Sequence, residues 1–318
     1  MQRALIIGCT GQDGSFLTKS LLKKGFEVVG TTRKAEKYIY NHNLLGISKD
    51  IDLRKLDSCD FESLKALISE IAPEQIYYLA AQSSVGESFK YPEETIKSIC
   101  IGTATLLEAY KKSGINSRLF FAGSGEIYGE TKGKATLNDP FQPMNPYAIA
   151  KISSLQLVDC YRHLYGIEAC TGILFNHESE LRTNNFVTKK IINGAINASR
   201  KKDYKIKLGN IKIERDWGLA SEYVEAMQSA LSADILKNHI ICSGFRLSLE
   251  KFIEFAFEKV GLNWKNHVII DNSLIRPSDI KKNIGNPQNT FRDLGWKAET
   301  YGSKLVDVLI KNNLVRDS

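Results

Sequence analysis

Paired cysteines are absent from this sequence: Cys9, Cys59, Cys100, Cys160, Cys170 and Cys242 fall singly, with no C-x-x-C among them. That pattern argues against a disulfide scaffold and reads as buried thiols in a reducing compartment. Histidine is scarce as well. His42, His163, His177, His239 and His267 are dispersed, with no H-x-x-x-H pair and no carboxylate-rich calcium loop, so a bound metal is not expected. No apolar run approaches the ~20 residues that span a bilayer, and Ala4-Leu5-Ile6-Ile7 is too short for a signal core. A cytoplasmic location without membrane contact is the expectation. Repeats, low-complexity tracts and Pro/Gly-rich linkers are also missing, which excludes flexibly joined modules. The formal charge of +7 comes largely from scattered lysines such as Lys111, Lys112, Lys201 and Lys202. Without a basic stripe interleaved with aromatics, it does not suggest a nucleic-acid partner.

What is present is a rhythm. Short β-branched or apolar runs at residues 4–7, 27–31 and 75–79 alternate with helical patterns at 16–24 and 61–71. A helix over 93–113, a strand over 118–122, a helix over 147–165 and a strand over 168–174 continue it. The alternation predicts βαβ units and about six strands of a doubly wound, Rossmann-like parallel sheet in an α/β fold. After residue 174 the pattern loosens. Helices are expected over 187–199, 220–231, 248–260 and 304–314, with apolar strands around Lys205 and Ile240. The expected organisation is a dinucleotide-binding domain over 1–174 and a smaller substrate domain over 175–318, interleaved with late strands of the sheet.

Gly8-Cys9-Thr10-Gly11-Gln12-Asp13-Gly14 follows the first strand and opens the first helix. Glycines three apart permit a tight turn, close backbone approach to a pyrophosphate and close helix-on-strand packing, while the helix head offers unpaired N–H groups to the anion. At the end of the second strand stands Thr31-Thr32-Arg33-Lys34 in place of the acid that would bind a ribose 2′-hydroxyl. A cation there suits a 2′-phosphate, so NADP is favoured over NAD, although two ordinary surface cations would read the same way. Asp57, after the third strand, is placed to accept from an adenine amino group or simply to start a helix.

Tyr147 and Lys151 lie four apart at the head of a helix and so share a face. An adjacent ammonium favours the phenolate of a tyrosine, making it a base for a substrate hydroxyl. Ser124 follows the apolar run Leu119-Phe120-Phe121-Ala122, at the sheet edge where such folds bind ligands. Glu126 stands two residues further on. Redox at a carbinol needs no carboxylate, but eliminating water requires removal of a carbon-bound proton, to which a positioned Glu is suited. Taken alone, a strand-end Glu is more often solvated or capping.

These residues carry a resemblance to the GDP-mannose 4,6-dehydratase family of extended short-chain dehydrogenases, running nearly end to end. The matching stretches include Gly8 to Ser15, Ala80-Ala81-Gln82-Ser83, Ser124 to Gly129, Pro146 to Lys151, Leu174 to Ser179, Asn185 to Thr188 and Arg215 to Gly218. The resemblance implies that Tyr147 deprotonates a C4 hydroxyl as hydride leaves, with Ser124 and Lys151 assisting. Glu126 would then take the C5 proton as water leaves C6, and the hydride would return to C6. Leu79 and Ala81 join the expected cofactor site. For a GDP-linked hexose the resemblance implies Ser83, Asn176, Glu178, Asn185, Val187, Lys190, Gly209, Arg215, Arg276 and Asp279. It implies a homodimer or homotetramer.

The departures bear on the sugar and the assembly. Ser124 replaces the family's usual Thr, and Asp279 its usual Glu. Glu180 and Leu181 interrupt its Pro-Arg pair, and the segment after Arg33 lacks the Arg-Arg-Ser-Ser that helps build a tetramer. The chain is shorter than typical members around residues 262–276. Gly125 stands where related dTDP-sugar dehydratases carry an Asp that protonates the C6 hydroxyl, which leaves Glu126, Ser124 or water for that task. Relatives acting on GDP-N-acetylglucosamine or GDP-heptose remain alternatives to GDP-mannose, and Ser84, Gly86 and Glu87 would meet a different group at C2. A reductase or epimerase on the same fold would need no Glu126.

Overall fold

A computed structural model describes residues 2–33 and 39–317. The first half builds β1 (Arg3–Ile7), α1 (Gln12–Lys23), β2 (Glu27–Thr32), β3 (Asp52–Lys55), α2 (Phe61–Ile71) and β4 (Gln75–Tyr78). It continues through α3 (Pro92–Ile96), α4 (Gly102–Ser113), β5 (Arg118–Ala122), α5 (Pro146–Tyr165) and β6 (Ala169–Leu174). The second half contributes β7 (Asn176–Glu178), α6 (Val187–Arg200), β8 (Ile206–Leu208), β9 (Glu214–Leu219), α7 (Ala220–Ser232) and β10 (His239–Ile241). Last come β11 (Arg246–Ser248), α8 (Leu249–Glu258), β12 (Val268–Ile270), β13 (Lys282–Asn283), α9 (Gln288–Leu294) and α10 (Gly302–Asp317).

Seven strands form one parallel sheet in the order β10-β6-β5-β4-β1-β2-β3. That is the Rossmann order, one strand more than the six expected, because β10 from the second half pairs with β6. Alternation along each strand supplies both faces with apolar residues. Ala4, Ile6, Tyr77 and Phe120 pack against α1 and α7 through Leu17, Leu21, Val224 and Met227. Leu5, Ile7, Ile76, Tyr78 and Phe121 pack against α2, α4 and α5 through Leu64, Leu107 and Val158. The strand order reverses between β1 and β4, which sets the crevice at their carboxyl ends.

A smaller second unit surrounds β9, which pairs with β7, β11 and β13. Its apolar core joins α6, α8 and α10 through Ile192, Ile196, Phe252, Phe257, Leu305 and Leu309. In the Arg215–Gly218 stretch, the fully buried Asp216 accepts from Ser243 N, Ser243 Oγ and Gly244 N, tying β9 to the turn after β10. Burial pushes that carboxyl up to about 6 against these bonds.

One expectation is refined and one needs correction. The helix expected over 93–113 forms, with a π turn at Lys97–Ile101 inside it. Within that turn, the Ile99 carbonyl accepts from Thr103 Oγ1 at 2.7 Å and Ser154 Oγ at 3.2 Å. The Ile99 side chain packs against Tyr147 and Ala150. Of the cysteines, Cys9, Cys170 and Cys242 are buried, but Cys59 and Cys100 are half-buried and Cys160 is exposed. The helical period turns Cys160 on α5 away from the sheet, so burial does not extend to all six.

Gly14 lets α1 approach the first strand. A Cβ there would lie 2.4 Å from the Gly8 carbonyl oxygen and 2.6 Å from Cys9 Cα, both backbone atoms that cannot swing aside. Gly14→Ala is therefore expected to destabilise the protein by about 1–3 kcal/mol and to lift the helix head from the loop. Thermal denaturation together with dinucleotide titration checks this; an unchanged melting temperature would contradict it.

Candidate active site

Two clefts meet at the carboxyl edge of the sheet. The larger, about 630 Å³, is lined by Gly8, Thr10, Gly11, Thr31, Thr32 and Arg33 at one end and by Leu79, Ala81, Ser83 and Asn185 at the other. Gly8 holds φ +93°, and a Cβ on it would fall 2.7 Å from the Ala80 backbone. Gly11 caps α1 with no side-chain bond to the first-turn N–H groups, and a Cβ there would meet nothing closer than 3.6 Å. A tight loop, an open glycine and an uncapped helix head together fit the pyrophosphate of a dinucleotide. Asn41 Nδ2 and the buried His42 ring brace this loop by bonding the carbonyls of Thr10 and Cys9.

The second cleft, about 180 Å³, shares Leu79, Ala81, Ser83 and Asn185 with the first and extends past Asp13, Ser124, Glu126, Tyr147 and Lys151 to Arg215 and Arg276. Lys151 is buried, and its Nζ donates to Ala122 O at 2.6 Å. Its cation lies 5.8 Å from the Tyr147 ring centre. Burial lowers the Lys151 pKa to about 8 despite Asp13. Burial also pushes the Tyr147 phenol up to about 12, outweighing the Ser124 hydroxyl that favours its ionised form.

Glu126 sits in a single turn after β5, its N–H bonded to Ser124 Oγ at 3.3 Å and its Oε2 accepting from Asn145 Nδ2 at 3.1 Å. Gly125 has a steric reason. A Cβ there would lie 2.9 Å from the buried Phe175 ring, so the aspartate of dTDP-sugar dehydratases has no room.

Of the residues expected at a substrate site, Ser83, Asn176, Glu178, Asn185, Val187, Arg215 and Arg276 line the second cleft. Glu178 is buried and accepts from Arg182 Nε at 3.1 Å and Thr188 Oγ1 at 2.6 Å, an arrangement that holds the cleft wall. Arg215 spends one nitrogen on the Ile280 and Glu214 carbonyls. Lys190, Gly209 and Asp279 are not among the lining residues. At Gly209 a Cβ would meet the Leu274 carbonyl at 2.9 Å, so close backbone packing explains that glycine.

On the cofactor side, Gln12, Gly14 and Asp57 line neither cleft. Gln12 instead accepts from Ser179 Oγ at 2.7 Å and donates to the His177 carbonyl at 3.1 Å. Asp57 is exposed and accepts from Cys59 N in the turn before α2, whose first-turn cap is Asp60 and not Asp57; its neighbours Leu56 and Ser58 face the cleft. Lys34 lies outside the described residues, as does the segment through residue 38.

Sequence reasoning missed Asn145, Arg182 and the partnership of Asp13 with His177. Asn followed by Pro146 is a readable helix-start signal. Arg182 meets Glu178 four residues earlier, whereas Asp13 and His177 meet only across the fold: His177 Nε2 lies 2.9 Å from Asp13 Oδ2, and its Nδ1 lies 2.7 Å from Phe175 O.

The fold and this site define an enzyme of the extended short-chain dehydrogenase/reductase type. Solved structures of that architecture superpose over nearly the whole chain. The Thermus thermophilus UDP-glucose 4-epimerase complex with NAD has a TM-score of 0.88 at 22% identity, covering 98% of this chain and 99% of that one. The Bacillus anthracis dTDP-glucose 4,6-dehydratase in complex with NAD has a TM-score of 0.87 at 17% identity, covering 100% and 98%. The family model for GDP-mannose 4,6 dehydratase matches residues 5–308. GDP-mannose 4,6 dehydratase 1 of Arabidopsis thaliana is 37% identical, covering 98% of this chain and 89% of that protein. GDP-mannose 4,6-dehydratase of Vibrio cholerae is 34% identical, covering 98% and 94%. The chain belongs to the GDP-mannose 4,6-dehydratase family.

The Asp13–His177 pair has a pH signature. Burial would raise the Asp13 pKa, but His177 beside it holds it at about 2. Burial likewise opposes charging His177, yet Asp13 keeps its pKa above the ordinary 6.5. Asp13's contribution to stability is present above its ordinary 3.8 and lost as pH falls through about 2. His177's is full below 6.5 and lost as pH rises through its raised value. The stability difference between wild type and Asp13→Asn should therefore peak between about pH 4 and 6.5. Urea denaturation across pH measures it, and a flat difference would exclude a charged pair.

Proposed function

We propose that the chain converts GDP-mannose to GDP-4-keto-6-deoxymannose, with residues 1–174 holding chiefly the cofactor and 175–318 the nucleotide sugar. The observation that carries the reading is the juxtaposition of Tyr147 and Lys151 with Glu126 in one cleft, in a member of this family. Bound along the larger cleft, a nicotinamide dinucleotide supplies the hydride acceptor for C4 and the hydride donor for C6. Arg33, exposed at the end of that cleft, supports NADP over NAD by offering a cation to a 2′-phosphate.

Tyr147 takes the proton of the C4 hydroxyl. A phenol held near 12 is a reluctant donor, so the buried Lys151 cation and the Ser124 hydroxyl must lower the cost of its ionised form when water is displaced from the cleft. Once C4 is a ketone, the C5 proton is acidic and Glu126 removes it. With Phe175 occupying the space beside Gly125, Glu126 also returns that proton to the departing C6 hydroxyl, which leaves as water. When hydride has returned to C6, a solvent proton restores the C5–H bond and Tyr147 releases the proton it took from C4, so that every group regains its starting state. Arg215 and Arg276 supply cationic charge for the diphosphate.

Tyr147→Phe should retain dinucleotide binding while kcat falls by about 10²–10⁴-fold. Glu126→Gln should stop solvent-deuterium exchange at C5, and persistent exchange would remove Glu126 from this role. A panel of GDP-mannose, GDP-N-acetylglucosamine and a GDP-heptose, scored for 4-keto-6-deoxy product, decides the substrate. Net NADPH consumption without that product would favour a reductase.

A further inference from the structure

The turn that carries Glu126 is clamped from two sides. Asn283, 1% exposed on β13, donates to the carbonyls of Gly125 at 3.0 Å and Gly129 at 2.9 Å. These bonds hold the backbone but leave the carboxylate free to swing. Its Oε2 is held separately by Asn145 Nδ2 at 3.1 Å. Asn145 is 4% exposed and caps α5, its Oδ1 accepting from Ala148 N at 2.8 Å. That cap removes the ambiguity of the amide. The oxygen must face the Ala148 N–H, so the NH₂ faces Glu126.

We propose that Asn145 is a positioning residue for Glu126, occupying one carboxylate oxygen so that the other is presented to C5. The inference rests on the dehydration reading above. Abstraction of a carbon-bound proton requires a lone pair aligned with the C–H bond, and a misplacement near 1 Å is worth on the order of 100-fold in rate. Asn145 precedes Tyr147 by two residues, so the groups acting at C4 and C5 are aimed from one rigid mount, the head of α5. Asn145 itself touches no reacting atom.

Asn145→Asp and Asn145→Ser both keep a capping oxygen, so the helix survives. Asp sets an acceptor opposite the carboxylate, and Ser carries no amide to reach it. With the holoenzyme and C5-deuterated GDP-mannose, either variant should lose about 10- to 100-fold in kcat, with KM changed less than about twofold. The isotope effect at C5 should rise while C4 oxidation, read as transient reduced-nicotinamide absorbance, keeps its wild-type rate. An unchanged isotope effect, or equal slowing of C4 oxidation, would overturn the proposal. A crystal structure of Asn145→Ser gives a readout independent of turnover: a displaced Glu126 carboxylate supports positioning, and an unmoved one refutes it. Displacement in a protein whose wild type dehydrates no GDP-hexose would uphold the positioning and defeat the dehydratase reading.

Discussion

The buried ammonium of Lys151, bonded to the Ala122 carbonyl at the end of β5, is the contact on which the catalytic geometry depends. A cation out of water is tolerated only with a fixed acceptor, and here that acceptor is the last residue of a central strand. The bond therefore sets the height of α5 above the sheet. Tyr147 follows one turn earlier on the same face, against Ile99 of the π turn. Ser124 and Glu126 follow two and four residues beyond the accepting carbonyl. One hydrogen bond thus relates the groups at the helix head to those at the strand end.

A second constraint joins the halves of the chain. The dinucleotide loop reaches the second half through Asp13 with His177 and Gln12 with Ser179, and the Glu126 turn reaches it through Asn283. These contacts replace hydration by fixed partners at the points where the two clefts share walls. Gly125 belongs to the same logic, since Phe175 from the strand junction fills the volume a side chain would need.

The helices were legible with small shifts at their ends: 220–231 was expected and Ala220–Ser232 is observed, and 187–199 became Val187–Arg200. Period 3.6 and period 2 survive in a sequence whenever one face is buried. The short strands of the second unit, β7, β11 and β13, were not legible, because two or three residues carry no period. The π turn was hidden because one inserted residue leaves the apolar pattern nearly intact. Among site residues, Tyr147, Lys151 and Ser124 could be read from spacing and strand context. Gln12, Gly14 and Asp57 could be flagged by position, but that none of them lines a cleft could not be read.

Sequence by itself determined the parallel α/β architecture, the glycine loop, the Tyr-Lys pair and the family, since each is written in residues close together in the chain. Tertiary structure alone decided what surrounds them. It put Phe175 beside Gly125, brought His177 to Asp13 across 164 positions, and desolvated Tyr147 and Lys151 so that burial dominates their ionisation. The physical reason is that packing and dielectric environment arise from groups distant in the chain, whose approach is set by the sum of many contacts and not by any local pattern.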